Sequence, residues 1–192
     1  MNINRVSTWL LFLGVLHLLL WLPVNGSAAL QVGDKFGNWT FVCMAIGPDK
    51  TKCGLTQDVV SRSSGKRILK ATLGYLGKNG KLVLVINTPL NIYLPAGVVL
   101  KIDSGRKRGM ILQQCKKKGC IAASGISPKF LDELTSGSRM GVKFKLILKE
   151  GMVGVPVMFK LDGVSDGVNA LEQSGAGNRY GKAKREEQIP IF

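Results

Sequence analysis

The residues Gly163-Val164-Ser165-Asp166-Gly167 carry the G-x-S-x-G spacing of a nucleophile elbow. In that motif a sharp strand-to-helix turn presents the serine hydroxyl, and a histidine takes its proton. The one histidine in the 192 residues is His17, inside an N-terminal apolar run. If that run is removed on export, no imidazole remains. Ser-His-Asp hydrolysis, Cys-His proteolysis and His-ligated zinc or haem are then excluded. A Ser–Lys dyad is the formal remainder. Asp132 and Glu133 are neighbours in sequence, so on a helix their side chains diverge and do not flank a substrate as glycosidase carboxylates do. Neither a P-loop nor a dinucleotide fingerprint occurs. The expectation is a protein that is not an enzyme and carries no cofactor and no metal.

The four cysteines, Cys43, Cys53, Cys115 and Cys120, are even in number, as a disulfide framework requires in an exported protein. Three pairings are possible. Cys43–Cys53 and Cys115–Cys120 are favoured because each brackets a turn-like segment, Gly47-Pro48-Asp49-Lys50 in one and Lys116-Lys117-Lys118-Gly119 in the other. A four-thiolate zinc site is the weaker alternative, since the spacings are not paired CxxC and exported thiols oxidise.

Charge is the other chemical resource. Lys and Arg number 27 against 12 Asp and Glu, a net charge of +15. The densest clusters are Lys66-Arg67, Arg106-Lys107-Arg108 and Lys116-Lys117-Lys118, and Lys70, Lys143, Lys145 and Lys149 add charge on outward faces. These clusters are candidate binding sites for polyanions: acidic lipid headgroups, lipopolysaccharide phosphates, or sulfated and sialylated glycans. Such attraction is long-ranged and fades with salt. Nucleic acid is a poor candidate, because no aromatic stacking platform interleaves with the basic residues and the leader removes the chain from the cytoplasm. If Gly109 to Gln114 is one strand, the second and third clusters lie about 20 Å apart, at opposite ends of the domain.

The elements that must position these residues follow from periodicity. Residues 1–28 read as a signal peptide: Arg5, then the apolar run Trp9 to Leu22, then Pro23 and small residues up to Ala28. The run has 14 residues, whereas a membrane span needs about 20. The stretch 29–171 is mostly of period two. Strands are predicted at Trp39–Cys43, Leu55–Val60, Arg67–Leu76, Leu82–Ile86, Val98–Ile102, Met110–Cys115, Cys120–Ala123, Lys143–Leu146 and Val155–Leu161. Asn79-Gly80 between two apolar runs is the strongest hairpin signal. One helix is predicted, capped by Ser127, opened by Pro128, striped by Phe130, Leu131 and Leu134 and stopped by Gly137; a second short one spans Ser165 to Leu171. Residues 172–192 read as a mobile basic, Gly-rich tail. The fold class is therefore all-β, an antiparallel β-sandwich or barrel-like domain with one or two short helices, stapled by two disulfides. Phe192 at the end invites comparison with outer-membrane barrels. Those need strands of about 9–11 residues, longer than most of the ones predicted, so contact with a membrane is expected to be peripheral.

The order of motifs resembles a known family. Gly37-Asn38-Trp39-Thr40-Phe41-Val42-Cys43 soon after a signal peptide is similar to the opening GxWxxxC of the invasion-associated locus B family of bacterial exported proteins. Cys53 with Gln57, Pro89-Leu90 through Leu94-Pro95-Ala96-Gly97-Val98 with Asp103, Gln114-Cys115 with Gly119-Cys120-Ile121-Ala122, and Val155-Pro156-Val157 with Leu161-Asp162-Gly163 and Ala170-Leu171 resemble its later elements. The resemblance implies an exported all-β envelope domain. It further implies, in a host-associated bacterium, a role in invading host cells, notably erythrocytes, by binding and without catalysis. A periplasmic binding or stress module of the same fold, with no host contact, is the alternative. The oligomeric state is left open.

Overall fold

The computed structural model describes residues 29–47, 50–76 and 80–175. The expected signal peptide and all of the expected tail beyond Gly175 lie outside the described residues, as does Asn79 of the hairpin signal. Eleven strands and two α-helices are present among the described residues. The strands are β1 (Lys35–Phe36), β2 (Trp39–Gly47), β3 (Lys50–Val60), β4 (Arg67–Leu76), β5 (Lys81–Thr88), β6 (Val98–Ile102), β7 (Arg108–Met110), β8 (Leu112–Lys116), β9 (Gly119–Gly125), β10 (Arg139–Leu148) and β11 (Gly151–Lys160). The helices are α1 (Pro128–Ser136) and α2 (Val164–Gln173).

All pairings are antiparallel. One sheet has seven strands in the order β1-β2-β3-β4-β5-β9-β8 and the other four, β11-β10-β6-β7. Both are open sheets with free edges, so the sandwich form of the expectation holds. Several strands are longer than the sequence suggested; β3 has 11 residues. The larger departure concerns Met110–Cys115. It is not one strand: β7 pairs with β6 in the small sheet, β8 pairs with β9 in the large one, and the chain changes sheets at the exposed Ile111. The apolar pattern conceals this break because both sheets bury their inward side chains in the same core. The estimate of about 20 Å between the basic clusters, which assumed a single strand, therefore loses its basis.

Inward residues of both sheets meet in a single core. Trp39, Leu55, Leu69, Leu73, Leu84 and Ile86 come from the large sheet, and Leu100, Met140, Val142 and Phe159 from the small one. The sheets are also joined by hydrogen bonds. The side-chain amide of buried Gln57 on β3 donates from Nε2 to the Lys160 carbonyl and accepts the Lys160 N–H at Oε1, both at 2.9 Å. Trp39 Nε1 donates to the same carbonyl at 2.9 Å. Lys160 ends the edge strand β11, so Gln57 stands in for a missing neighbouring strand and satisfies backbone groups that burial would otherwise orphan. Just beyond, Asn38 Nδ2 donates to the Asp162 carboxylate at 2.6 and 2.8 Å. Gly163 there has φ +82°, and a Cβ on it would collide with the Phe36 carbonyl. That close backbone approach requires glycine.

The disulfides are Cys43–Cys53 and Cys115–Cys120, as favoured. Each links residues directly opposite one another, in β2–β3 and in β8–β9. α1 begins as its sequence dictates: Ser127 Oγ accepts the Phe130 N–H at 3.3 Å, Pro128 opens the first turn, and Gly137 ends it by donating to the Glu133 carbonyl. α2 buries Val164, Val168 and Leu171, and its Gly167 lies against Leu55. It runs to Gln173, two residues past the domain end expected at Leu171. Tyr75 Oη donates to Glu172 Oε1 at 3.1 Å, tying the end of α2 to β4; burial, reinforced by the Glu172 charge and this bond, pushes the phenol up to about 12.

α1 is pinned to the small sheet by Arg108. Its Nη2 donates to Glu133 Oε1 at 2.6 Å, and its guanidinium carbon lies 4.5 Å from the Phe130 ring centroid. The bond from Arg108 holds the Glu133 carboxyl below its ordinary range. The stability contributed by a carboxylate with a lowered folded pKa is present above the unfolded value and is lost as pH falls through the folded one. Glu133→Gln should therefore lower the melting temperature at neutral pH, and the gap to wild type should close as pH falls below about 4. Thermal unfolding across this range checks it; a gap independent of pH would contradict the ion pair.

Candidate functional site

Strand register brings Lys66-Arg67 and Lys116-Lys117-Lys118 to the same end of the large sheet, with β5 between β4 and β9, while Arg106 and Lys107 belong to a connection of the small sheet. Lys66 and Arg67 lie at the β3–β4 connection, where Arg67 sits 3.6 Å from Asp58 and both are exposed. Arg106 and Lys107 are exposed in the β6–β7 connection. Arg108 is a correction: its side chain turns inward to Glu133 and Phe130, because β7 places position 108 on the same face as buried Met110. Its charge is thereby taken up within the fold. Lys116, Lys117 and Lys118 are exposed around the β8–β9 turn that the second disulfide closes.

A denser array is made by strand register. On β10 the residues Arg139, Gly141, Lys143 and Lys145 share the face opposite the core residues Met140, Val142 and Phe144. Gly141 pairs with Lys101 on β6 and with Met158 on β11, and Arg139 pairs with Lys160. The outer face of the small sheet thus carries Lys101, Arg139, Lys143, Lys145 and Lys160. β6, β10 and β11 contain no Asp or Glu. Among the described residues the ion pairs are Arg67–Asp58 and Arg108–Glu133, so none of these five cations is in one. Lys143 is flanked by Pro156 and Val99, and Lys145 lies opposite Gly154.

At one end of this face is an open depression of about 400 Å³ lined by Lys101, Asp103, Arg139, Gly141 and Met158. Gly141, with no side chain, forms its floor. Asp103 carries the one carboxylate, already committed to the N–H groups of Ser138 at 2.9 Å and Arg139 at 3.0 Å.

Part of this face was visible in the sequence, because Lys143 and Lys145 alternate with apolar residues. Lys101, Arg139 and Lys160 were missed. Each is a lone charge within or at the end of its strand, and only the pairing of β6, β10 and β11 assembles them. The G-x-S-x-G glycines have packing reasons in Phe36 and Leu55, while Ser165 is exposed on the first turn of α2.

The family model for invasion associated locus B (IalB) protein matches residues 39–172. The chain belongs to the IalB family. The crystal structure of invasion associated protein B from Bartonella henselae superposes with a TM-score of 0.63 at 18% identity, covering 74% of this chain and 96% of that one. At that identity the likeness speaks for the shared fold. No curated protein sequence matches this chain. An IalB chain carries an invasion-associated role at the level of the family, and the two-sheet, two-disulfide domain is its structural frame.

Like charges directly opposite in a sheet destabilise it. Lys160→Glu, which replaces a repulsive partner of Arg139 with an attractive one, should raise stability by about 0.5–1 kcal/mol at low salt, with the gain shrinking as salt screens it. Urea unfolding at two ionic strengths measures this, and no gain at low salt would show that the cations do not feel one another.

Proposed function

We propose that this protein is exported to the bacterial envelope and supports host-cell invasion by binding an anionic surface through the outer face of its small sheet, without catalysis. One observation carries the reading: five cations stand on a single sheet face with no carboxylate on its strands. Natural sheets place opposite charges across strands, and a one-sign face held against its own repulsion is a cost to folding that a polyanionic partner offsets. Family membership supports the invasion context, with erythrocytes the host cell that the family resemblance implies. The absence of histidine beyond His17 and the packing roles of Gly163 and Gly167 support binding in place of chemistry. Among the described residues no helix is long and apolar enough to cross a membrane, which suits peripheral contact.

A deletion strain complemented with wild-type or variant genes tests this. Reversal of Lys101, Arg139, Lys143 and Lys145 to Glu should abolish rescue of host-cell invasion while the variant is still exported in normal amounts. Ser165→Ala should rescue fully. Invasion by the reversal strain at wild-type level would remove the binding face, and failure of Ser165→Ala would restore a catalytic reading.

A further inference from the structure

The distal end of the same sheet is apolar where it should be wet. In the β10–β11 hairpin, Ile147 pairs with Met152 and Leu146 with Val153, and Lys149 and Glu150 form the turn. Ile147 is 49% exposed, Leu148 46%, Met152 59% and Val153 44%. Ile147 and Met152 lie on the lysine-bearing face; Leu148 and Val153 lie on the other. A strand pair that meets water ordinarily keeps one polar face. Here both faces are apolar over the last pairs before the turn, and these side chains stay about half exposed. On its other side β10 is supported by the short stretch 91–93, through the Ile92–Leu146 bridge, Tyr93 N–H to the Lys145 carbonyl at 2.8 Å and Ile147 N–H to the Asn91 carbonyl at 2.7 Å.

We infer that this hairpin tip is a membrane wedge, and that the anionic surface engaged by the basic face is a phospholipid bilayer rich in acidic headgroups. The inference deepens the binding reading above and rests on it. Charge complementarity selects this occupant. Lys143, Lys145 and Lys149 flank Ile147 along β10 and its turn, and Lys101, Arg139 and Lys160 lie behind them. Apolar side chains grouped with cations on one surface match the acyl-chain and phosphate layers of an anionic leaflet. The spacing agrees: Lys143 to Ile147 is about 13 Å along the strand at about 3.3 Å per residue. A gently slanted hairpin then sinks its apolar side chains about 5–10 Å, the depth of an interfacial segment, while the lysines reach back to the phosphates. The hairpin lies nearly along the surface, so that Ile147 and Met152 on the lysine-bearing face turn into the leaflet while the turn residues Lys149 and Glu150 stay in the headgroup layer. A second copy of this chain is the poorer occupant. It would bring like-charged faces together, and the edge it would pair with, β11, carries Pro156, which cannot donate.

The full chain is mixed with phosphatidylcholine vesicles with and without phosphatidylserine. Met152→Trp adds a reporter at an exposed site. Its emission should shift to the blue with phosphatidylserine vesicles and be quenched by bromine-labelled acyl chains. The double variant Ile147→Ser/Met152→Ser, whose sites lie on the surface, should keep its circular dichroism and bind about tenfold or more weakly. Each of Lys143→Glu and Lys145→Glu should weaken binding by about fivefold or more. If the lysine variants lose binding while the serine variant matches wild type and the indole emission of Met152→Trp stays unshifted, the wedge is overturned and the basic face stands. If the protein ignores these vesicles at low salt but binds heparin, the lipid partner is overturned and the face again stands. If it binds neither, both readings fall. Concentration-dependent dimers in sedimentation that the serine variant abolishes, without vesicle binding, would assign the tip to a second copy and overturn the wedge.

Discussion

The side chain of Gln57 closes this fold. Two antiparallel sheets packed through apolar residues can slide over one another, since such packing is largely non-directional. A buried amide that both donates to and accepts from the Lys160 backbone fixes the end of β11 against β3, and Trp39 shares the same carbonyl. Three part-buried hydrogen bonds thereby set where the end of β11 sits against β3 and Trp39. Just beyond this point Asn38 grips Asp162, and Gly163 takes the left-handed backbone that lets the chain pass Phe36 and enter α2. The outer face of the small sheet is held from beneath by this joint. Its cations are therefore displayed on a stiff support, which lowers the entropy lost on binding compared with charges on free loops.

The arrangement also explains why charge of one sign is tolerated there. Directly opposed Arg139 and Lys160 repel, and nothing on β6, β10 or β11 neutralises them. The core below, with Leu100, Met140, Val142 and Phe159 buried, supplies the stability that the face gives up. Where the core ends, toward Leu148 and Gly151, the same hairpin becomes apolar on both sides. A basic face that grades into a half-exposed apolar tip is the combination on which the proposed contact with an anionic surface rests.

Much of the fold was legible because local chemistry and tertiary structure agree. Ser127, Pro128 and Gly137 mark the bounds of α1 by capping and turn physics alone. Arg67–Leu76 and Val98–Ile102 are strands over the residues their alternation predicts. The cysteine pairs bracket turns, so proximity in sequence became proximity in space. What was illegible depended on register. The apolar run Met110-Ile111-Leu112 carries no turn residue at Ile111, where the chain changes sheets, so nothing local marks the break. Arg108 reads as the third member of a basic run, yet the parity it shares with Met110 turns it toward Glu133. The basic face joins residues from three strands as far apart in sequence as Lys101 and Lys160. Gln57 was visible as a family residue, but its partner, the backbone of Lys160, has no side-chain signature. In each case the deciding contact is long-range, and the pattern around each residue in sequence carries no trace of it.

The central claim is that the outer face of the small sheet, and not the basic turns, meets the partner. Amide chemical-shift mapping of the isotope-labelled protein with anionic lipid nanodiscs tests it most directly. The account predicts that the perturbed amides cluster at Lys101, at Arg139 to Val153 and at Met158 to Lys160, with Lys66, Lys107 and Lys117 unmoved. Perturbations centred on those three turns, with the sheet face silent, would contradict it.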